Sequence, residues 1–147
     1  MPVVQHLASR LARYIYVLEK DTKNLLQYDR QSNRVVRQRL NYRVNNMDVQ
    51  LPHNYQCIQV GEGPHVFLIG GGDYNQTPQS MYECHELKFN QQTNLWDCFK
   101  KANMRAPRHG HSACAFMAKY ALVSGSRKDI DFSARKVELY DVENNVW

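Results

Sequence analysis

Along this chain, short runs of strand formers are separated by polar stretches rich in Asn, Asp and Gly. The runs read R-Y-I-Y-V-L-E-K (13–20), N-Y-Q-C-I-Q-V (54–60), H-V-F-L-I-G-G-G (65–72), R-H-G-H-S-A-C-A-F-M (108–117) and K-Y-A-L-V-S-G-S (119–126). Brief β-branched and aromatic runs bounded by turn formers predict strands, and together they predict an all-β chain.

The pattern repeats. L-K-F-N-Q-Q-T-N-L-W at 87–96 is echoed 51 positions on in V-E-L-Y-D-V-E-N-N-V-W at 137–147. Phe89 is followed by Asn90, then by Asn94 at plus five and Trp96 at plus seven. Tyr140 is followed by Asp141, Asn145 and Trp147 at the same offsets, and a weaker copy stands upstream at Tyr28, Asp29, Asn33 and Val35. Each copy predicts a hairpin. Asn tolerates the left-handed backbone of a tight loop, and Asp or Asn at the loop start can bond its own turn. The aromatic and the Trp then lie on paired strands and supply large apolar area. The strand at 65–72 also returns, 54 positions later, at 119–126; residues 13–20 are its degenerate first version, with Glu19 and Lys20 in place of glycines. The unit is therefore four strands with glycines after the second, Gly70 and Gly71 in one copy and Gly125 in the next. Glycine there allows positive φ and close approach of neighbouring backbones.

A repeated four-stranded unit cannot bury both faces alone and needs neighbours. The pattern R-x-G-H-S-A … Y-x-L-V-x-G … V-E-L-Y-D-x-x-x-N-x-W resembles a kelch repeat, the four-stranded antiparallel blade of a β-propeller. Arg108, Gly110, His111, Ser112, Gly125, Tyr140, Asp141, Asn145 and Trp147 carry the resemblance in one unit; Ile69, Gly70, Gly71, Phe89, Asn90, Asn94 and Trp96 carry it in the unit before. Residues 1–40 lack the glycines and the Trp and read as a divergent blade. The resemblance implies a partial kelch-type propeller of about three blades. Residues 1–51 would form the divergent blade with an inter-blade loop, 52–106 a blade, and 107–147 a blade cut within its fourth strand. It implies that Trp96, Trp147, Phe89 and Tyr140 pack between blades, and that His111 hydrogen-bonds within its own. Propellers close with four to eight blades. The rest of the ring is therefore expected in a longer chain or in another copy of this one.

The resemblance also implies a role. Loops joining strands two and three, and loops joining successive blades, share one face, which in this family commonly grips a protein ligand. Here those loops are roughly Glu19–Asn24, Asp73–Ser80 and Arg127–Ser133 within blades, and Arg39–Gln50 and Lys100–Arg105 between them. Tyr42, Arg43, Tyr74 and Phe132 are the expected contact residues, because an aromatic on a polar loop makes an interface anchor. The expected function is a non-catalytic protein-interaction scaffold in the cytoplasm, of ubiquitin-ligase adaptor or cytoskeletal or ciliary type. The partner itself stays open, since loops vary while the repeat does not.

Composition narrows the alternatives. At 43% hydrophobic and 22% charged, the chain can bury an ordinary core. No run approaches 18 apolar residues, so no membrane span is expected, and the first ten residues lack the apolar core of a secretory signal. Cys57, Cys84, Cys98 and Cys114 stand far apart without a CxxC pair and predict buried reduced thiols instead of a zinc site. The net charge of +5 is N-terminal: residues 1–50 hold nine Lys/Arg against four Asp/Glu, the rest ten of each. The strip Arg30, Arg34, Arg37, Arg39 and Arg43 could attract nucleic acid or an acidic partner. It lacks a recognisable nucleic-acid-binding motif, and it reads first as charge that guards a strand edge against pairing. The enzymatic alternative, a propeller with a site at its central axis, needs converging reactive groups. The candidates are the H-x-H of His109 and His111, taken to share one strand face, and Asp129 and Asp131 with Glu138. Neither supplies a nucleophile with its base, and G-G-G before D-Y-N ends a strand without opening a phosphate-binding helix. No catalytic residue, metal or cofactor is expected.

Overall fold

The computed structural model describes residues 12–19, 22–44, 46–61, 63, 65–73, 79–126 and 136–147, and every regular element among them is a β-strand. β1 (Tyr14–Leu18), β2 (Asn24–Asp29) and β3 (Arg34–Asn41) form an antiparallel meander. A minimal hairpin of β4 (Arg43–Val44) and β5 (Met47–Asp48) follows, where a plain loop was expected. β6 (Gln56–Gln59), β7 (Val66–Ile69), β10 (Cys84–Asn90) and β11 (Leu95–Lys100) make a four-stranded antiparallel run. Between β7 and β10, β8 (Gly72–Asp73) pairs with β9 (Gln79–Ser80). β12 (Ser112–Phe116), β13 (Tyr120–Ser124) and β14 (Glu138–Asp141) form a three-stranded sheet, and the expected fourth strand shrinks to one bridge, Asp141 to Val146.

The three hairpin turns share one local chemistry. Asn33, Asn94 and Asn145 all hold left-handed backbone, with φ of 54°, 56° and 53°. At each loop start an Asx oxygen caps the turn: Asp29 accepts from the Gln31 amide (3.0 Å), Asn90 from Gln92 (3.0 Å) and Asp141 from Glu143 (3.0 Å). A side-chain acceptor two residues back replaces a missing backbone partner. The Tyr28 and Tyr140 hydroxyls then donate to Asn33 and Asn145, each at 2.8 Å.

Glycine at position 70 is a steric requirement. Its φ is +61°, and a Cβ there would stand 2.6 Å from the Arg108 carbonyl oxygen and 2.7 Å from the His111 ring. The Gly71 amide donates to that same carbonyl at 2.9 Å, so the end of β7 is pressed against the 108–111 segment. Arg108 and Glu138 form a fully buried ion pair at 2.9 Å. The guanidinium also donates to the carbonyls of Gly125 and Lys136, and Glu138 also accepts the amides of Arg105 and Ala106. With so many partners both charges are satisfied, as burial demands.

Two features depart from separate, face-stacked blades. β3 pairs in parallel with β11, placing Leu95 opposite Arg39, Trp96 opposite Leu40 and Asp97 opposite Asn41. This joins the first two units into one seven-stranded sheet, ordered β1-β2-β3-β11-β10-β7-β6. Its outer strands nearly meet, where the Gln59 amide donates to the Tyr14 carbonyl at 3.0 Å. The sheet is a nearly closed barrel. β3 meets β11 only at residues 39–41, so among the described residues Arg34 and Arg37 stand on a stretch of β3 that is paired with β2 alone, where charge can guard an edge.

Two cores result. Leu25, Leu40, Tyr42, Val66, Leu68, Leu87 and Trp96 fill the barrel. Phe67, Ile69, Cys84 and Met104 pack outward against Ala121, Val123 and Tyr140 of the three-stranded sheet. All four residues of β7 are buried, the alternation of a strand sending successive side chains into different cores. Trp96 and Tyr140 are buried, and Trp147 packs at the edge of the second core. Phe89 corrects its expectation. It is 36% exposed and joins neither core, resting on Trp96 at 5.7 Å between ring centres. The thiols are also less uniform than expected. Cys84 is buried, Cys57 and Cys98 are half-buried, and Cys114 is exposed.

Candidate functional site

A polar cleft of about 1310 Å³ opens where the three units come together. One wall is the β1–β2 loop with Thr22, Lys23 and Asn24, joined by Arg39. The second is the segment 50–56. Gly110 and His111 close the third side. Among the described residues no Asp or Glu lines it, while Lys23 and Arg39 are cationic and Thr22, Asn24, Gln50, Asn54 and Gln56 offer hydroxyl and amide groups.

Local bonding holds these walls. Thr22 donates to the Glu19 carbonyl at 3.0 Å and accepts the Asn24 amide at 3.1 Å, while the Asn24 side chain donates to the Glu19 carboxylate at 2.8 Å. Those bonds, with the nearby Arg37 charge, keep the Glu19 carboxyl below its ordinary range although desolvation opposes them. Lys23 pairs with Asp48 at 2.5 Å, which lowers the Asp48 pKa. In the second wall, His53 and Gly72 exchange backbone bonds at 2.9 and 2.8 Å, and the Gly110 amide donates to the Asn54 carbonyl at 3.1 Å. Asn54 takes left-handed backbone, φ 53°. The cleft is thus preformed by backbone, the usual condition of a binding site.

His111 departs from its expected role. It is 3% exposed, and neither ring nitrogen has a hydrogen-bond partner. Burial first, then the Arg108 charge and His109, lowers its pKa to about 4, so the ring is neutral at pH 7. An unsatisfied buried polar group costs about 1–3 kcal/mol. The H-x-H does not lie on a strand either: Gly110 has φ 58° and β12 starts at Ser112, so His109 and His111 lack the shared strand face expected of them. Glu138 belongs to the buried Arg108 pair instead of an acidic loop; Asp129 and Asp131 lie outside the described residues. Among the described residues no three His, Cys, Asp or Glu groups gather in a way that could hold a metal.

Of the four expected contact residues, Tyr74 and Phe132 lie outside the described residues. Arg43 is exposed, close enough to Asp48 and Asp97 to lower both carboxyls in concert with their hydrogen bonds. Tyr42 is a core residue. At 2% exposure its ring fills the barrel edge-on to His85, 5.6 Å between centres, and burial pushes its hydroxyl up to about 12. A ring spent on the barrel has no surface left for a partner. The segment L-P-H-N-Y at 51–55 also lines the cleft, and its Pro and Asn are the sequence signal of a constrained turn there.

The described residues thus define an all-β protein with a nearly closed sheet and an attached three-stranded sheet, an arrangement consistent with a propeller-like fold. None of them forms a helix long and apolar enough to cross a membrane. No family model matches the chain. Among curated proteins it is similar to the F-box protein AFR of Arabidopsis thaliana, 26% identical over 99 residues, which is 67% of this chain and 24% of that protein. The chain spans about a quarter of that relative's length. Among solved structures, YjhT matches with a TM-score of 0.49 at 16% identity, over 80% of this chain and 34% of that one.

Proposed function

We propose that this chain is a non-catalytic protein-interaction module of kelch-type propeller blades. It would bind a protein partner through the loop face that carries the cleft, within the cytoplasm. The observation that carries the reading is the construction of that cleft. Loops from all three strand units meet there and are pinned by backbone bonds, while the strand pattern beneath them repeats. The similarity to a protein named as an F-box protein supports it as well. An adaptor role of ubiquitin-ligase type, or a cytoskeletal or ciliary one, is the finer form of the proposal.

The test is a selection of displayed peptides against the immobilised chain, repeated with T22R, which fills the cleft, and with N33R, at a hairpin turn remote from the cleft lining. Selected peptides should lose binding to T22R and keep it on N33R. Peptides that respond only to N33R, or none at all from a folded chain, would sink the reading.

A further inference from the structure

We infer that the segment 108–111 is an acid-sensitive joint, in which protonation of His111 loosens the three-stranded sheet from the barrel and takes down the third wall of the cleft. The segment is bonded on both sides. Toward the barrel, the Arg108 amide donates to the Met81 carbonyl at 3.0 Å and the Arg108 carbonyl accepts the Gly71 amide at 2.9 Å, while the Gly110 amide donates to Asn54 at 3.1 Å. Toward the sheet, the Arg108 guanidinium donates to the carbonyls of Gly125 and Lys136 and to the Glu138 carboxylate. The His109 backbone exchanges bonds of 3.4 Å with the Ser126 hydroxyl. One short segment therefore ties the two sheets together. His111 ends it, with the tip of its ring against Gly70 at the end of β7.

An imidazolium is badly placed there. The ring is 3% exposed and neither nitrogen has a partner, so the cation would hold two unsatisfied N–H donors and a charge away from water. From its own segment, Arg108 and His109 both oppose a positive ring. From β14, Glu138 is committed: its oxygens accept Arg108 and the amides of Arg105 and Ala106. Gly70 has no side chain to offer, and His53 and Tyr55, which share the cleft lining with His111, bring no carboxylate. The closed joint takes up the proton only at about pH 4, whereas an opened segment takes it at about 6.5. The opened form therefore binds more protons between these values. The stability of the joint is fully present above about pH 6.5 and is lost as the pH falls toward 4.

Other groups are separable from this one. Side-chain hydrogen bonds hold Glu19, Asp48, Asp97 and Asp141 below the ordinary carboxylate range, so these carboxylates keep their charge above pH 5. Burial also lowers the pKa of His85, but that ring packs on Tyr42 in the barrel, and its protonation would loosen β10 instead of the three-stranded sheet. Release of a partner from the cleft on acidification rests on the interaction reading above; the joint itself does not.

The experiment is amide hydrogen exchange on the full chain, read by mass spectrometry at pH 7 and pH 5 and corrected for the intrinsic effect of pH on exchange. At pH 5 the protection of β13 and β14 should fall about tenfold or more relative to that of β10 and β11. H111L should remove most of this difference, and H111F serves if the smaller side chain prevents folding. H65Q, which replaces an exposed histidine paired with Glu86, should keep it. Equal losses in all four strands, no loss at pH 5, or the wild-type difference persisting in the His111 variants would each overturn the inference. A displayed-peptide selection that returns nothing would remove the interaction reading and leave the joint standing.

Discussion

Asn145 is held by two restraints that can be separated. Its backbone is left-handed, and its side-chain oxygen accepts both the Tyr140 hydroxyl and the Ala102 amide, each at 2.8 Å. Asn94 has the same backbone, φ 56°, but Phe89 stands where a tyrosine hydroxyl would reach it. N145G should therefore cost about 1–3 kcal/mol through two orphaned donors, while N94G should stay within about 0.5 kcal/mol, because glycine accepts positive φ freely. Urea unfolding of the two variants decides; equal losses would mean that conformation alone matters. These turns were legible in the sequence because the chemistry is local, an Asx two residues before the amides it caps. The fate of His111 was not legible. A motif position names a residue type, and whether its nitrogens find partners depends on the backbone of segments 40 residues away.

At the level of elements, the β3–β11 seam is the feature no local pattern announced. Parallel pairing joins residues far apart in sequence, and neither strand carries a mark of its neighbour. The seam is fastened by side chains as well. The Trp96 indole donates to Gln38 at 2.8 Å, and Asn41 donates to Asp97 at 2.9 Å. Trp96 is 2% exposed, so Q38A strands a buried N–H and should cost about 1–3 kcal/mol. In a W96F background the same change should cost little, since the donor is gone. A double-mutant cycle by chemical denaturation reads this directly, and equal cost in both backgrounds would remove the bond from the account of the seam. The burial of Tyr42 follows from the same seam: β3 carries it straight into the barrel, and a polar sequence context hid that. The cleft was likewise only half legible, its loops placed by the repeat but its lining assembled from three distant segments.

Across the whole molecule, the interior is well filled and the outside is uneven. Ile15, Val17 and Val35 are exposed on the outer face of the β1–β3 meander, and Phe116, Val137 and Leu139 on the three-stranded sheet. Contiguous apolar faces of this kind mark contact surfaces. Light scattering of this 147-residue chain should show mass rising with concentration, and V17K combined with L139K should suppress the rise. A monomer at every concentration would mean that these faces are too dispersed to hold anything.

The central strand carries one more implication. Ordinarily a one-residue slip turns polar groups into the core and is punished for it. In V-F-L-I at 66–69 both faces are apolar, so a slip would exchange one greasy set for another with no polar penalty. What forbids it is shape. Phe67 meets Tyr140 edge-on at 5.7 Å, and Gly70 is the only residue type that fits beneath the Arg108 carbonyl. A chain that mis-threads this strand while folding gets little early warning. It finds its mistake only when glycine arrives at the wrong place, so misfolding here is expected as a late, compact trap that errs in alignment and not in composition.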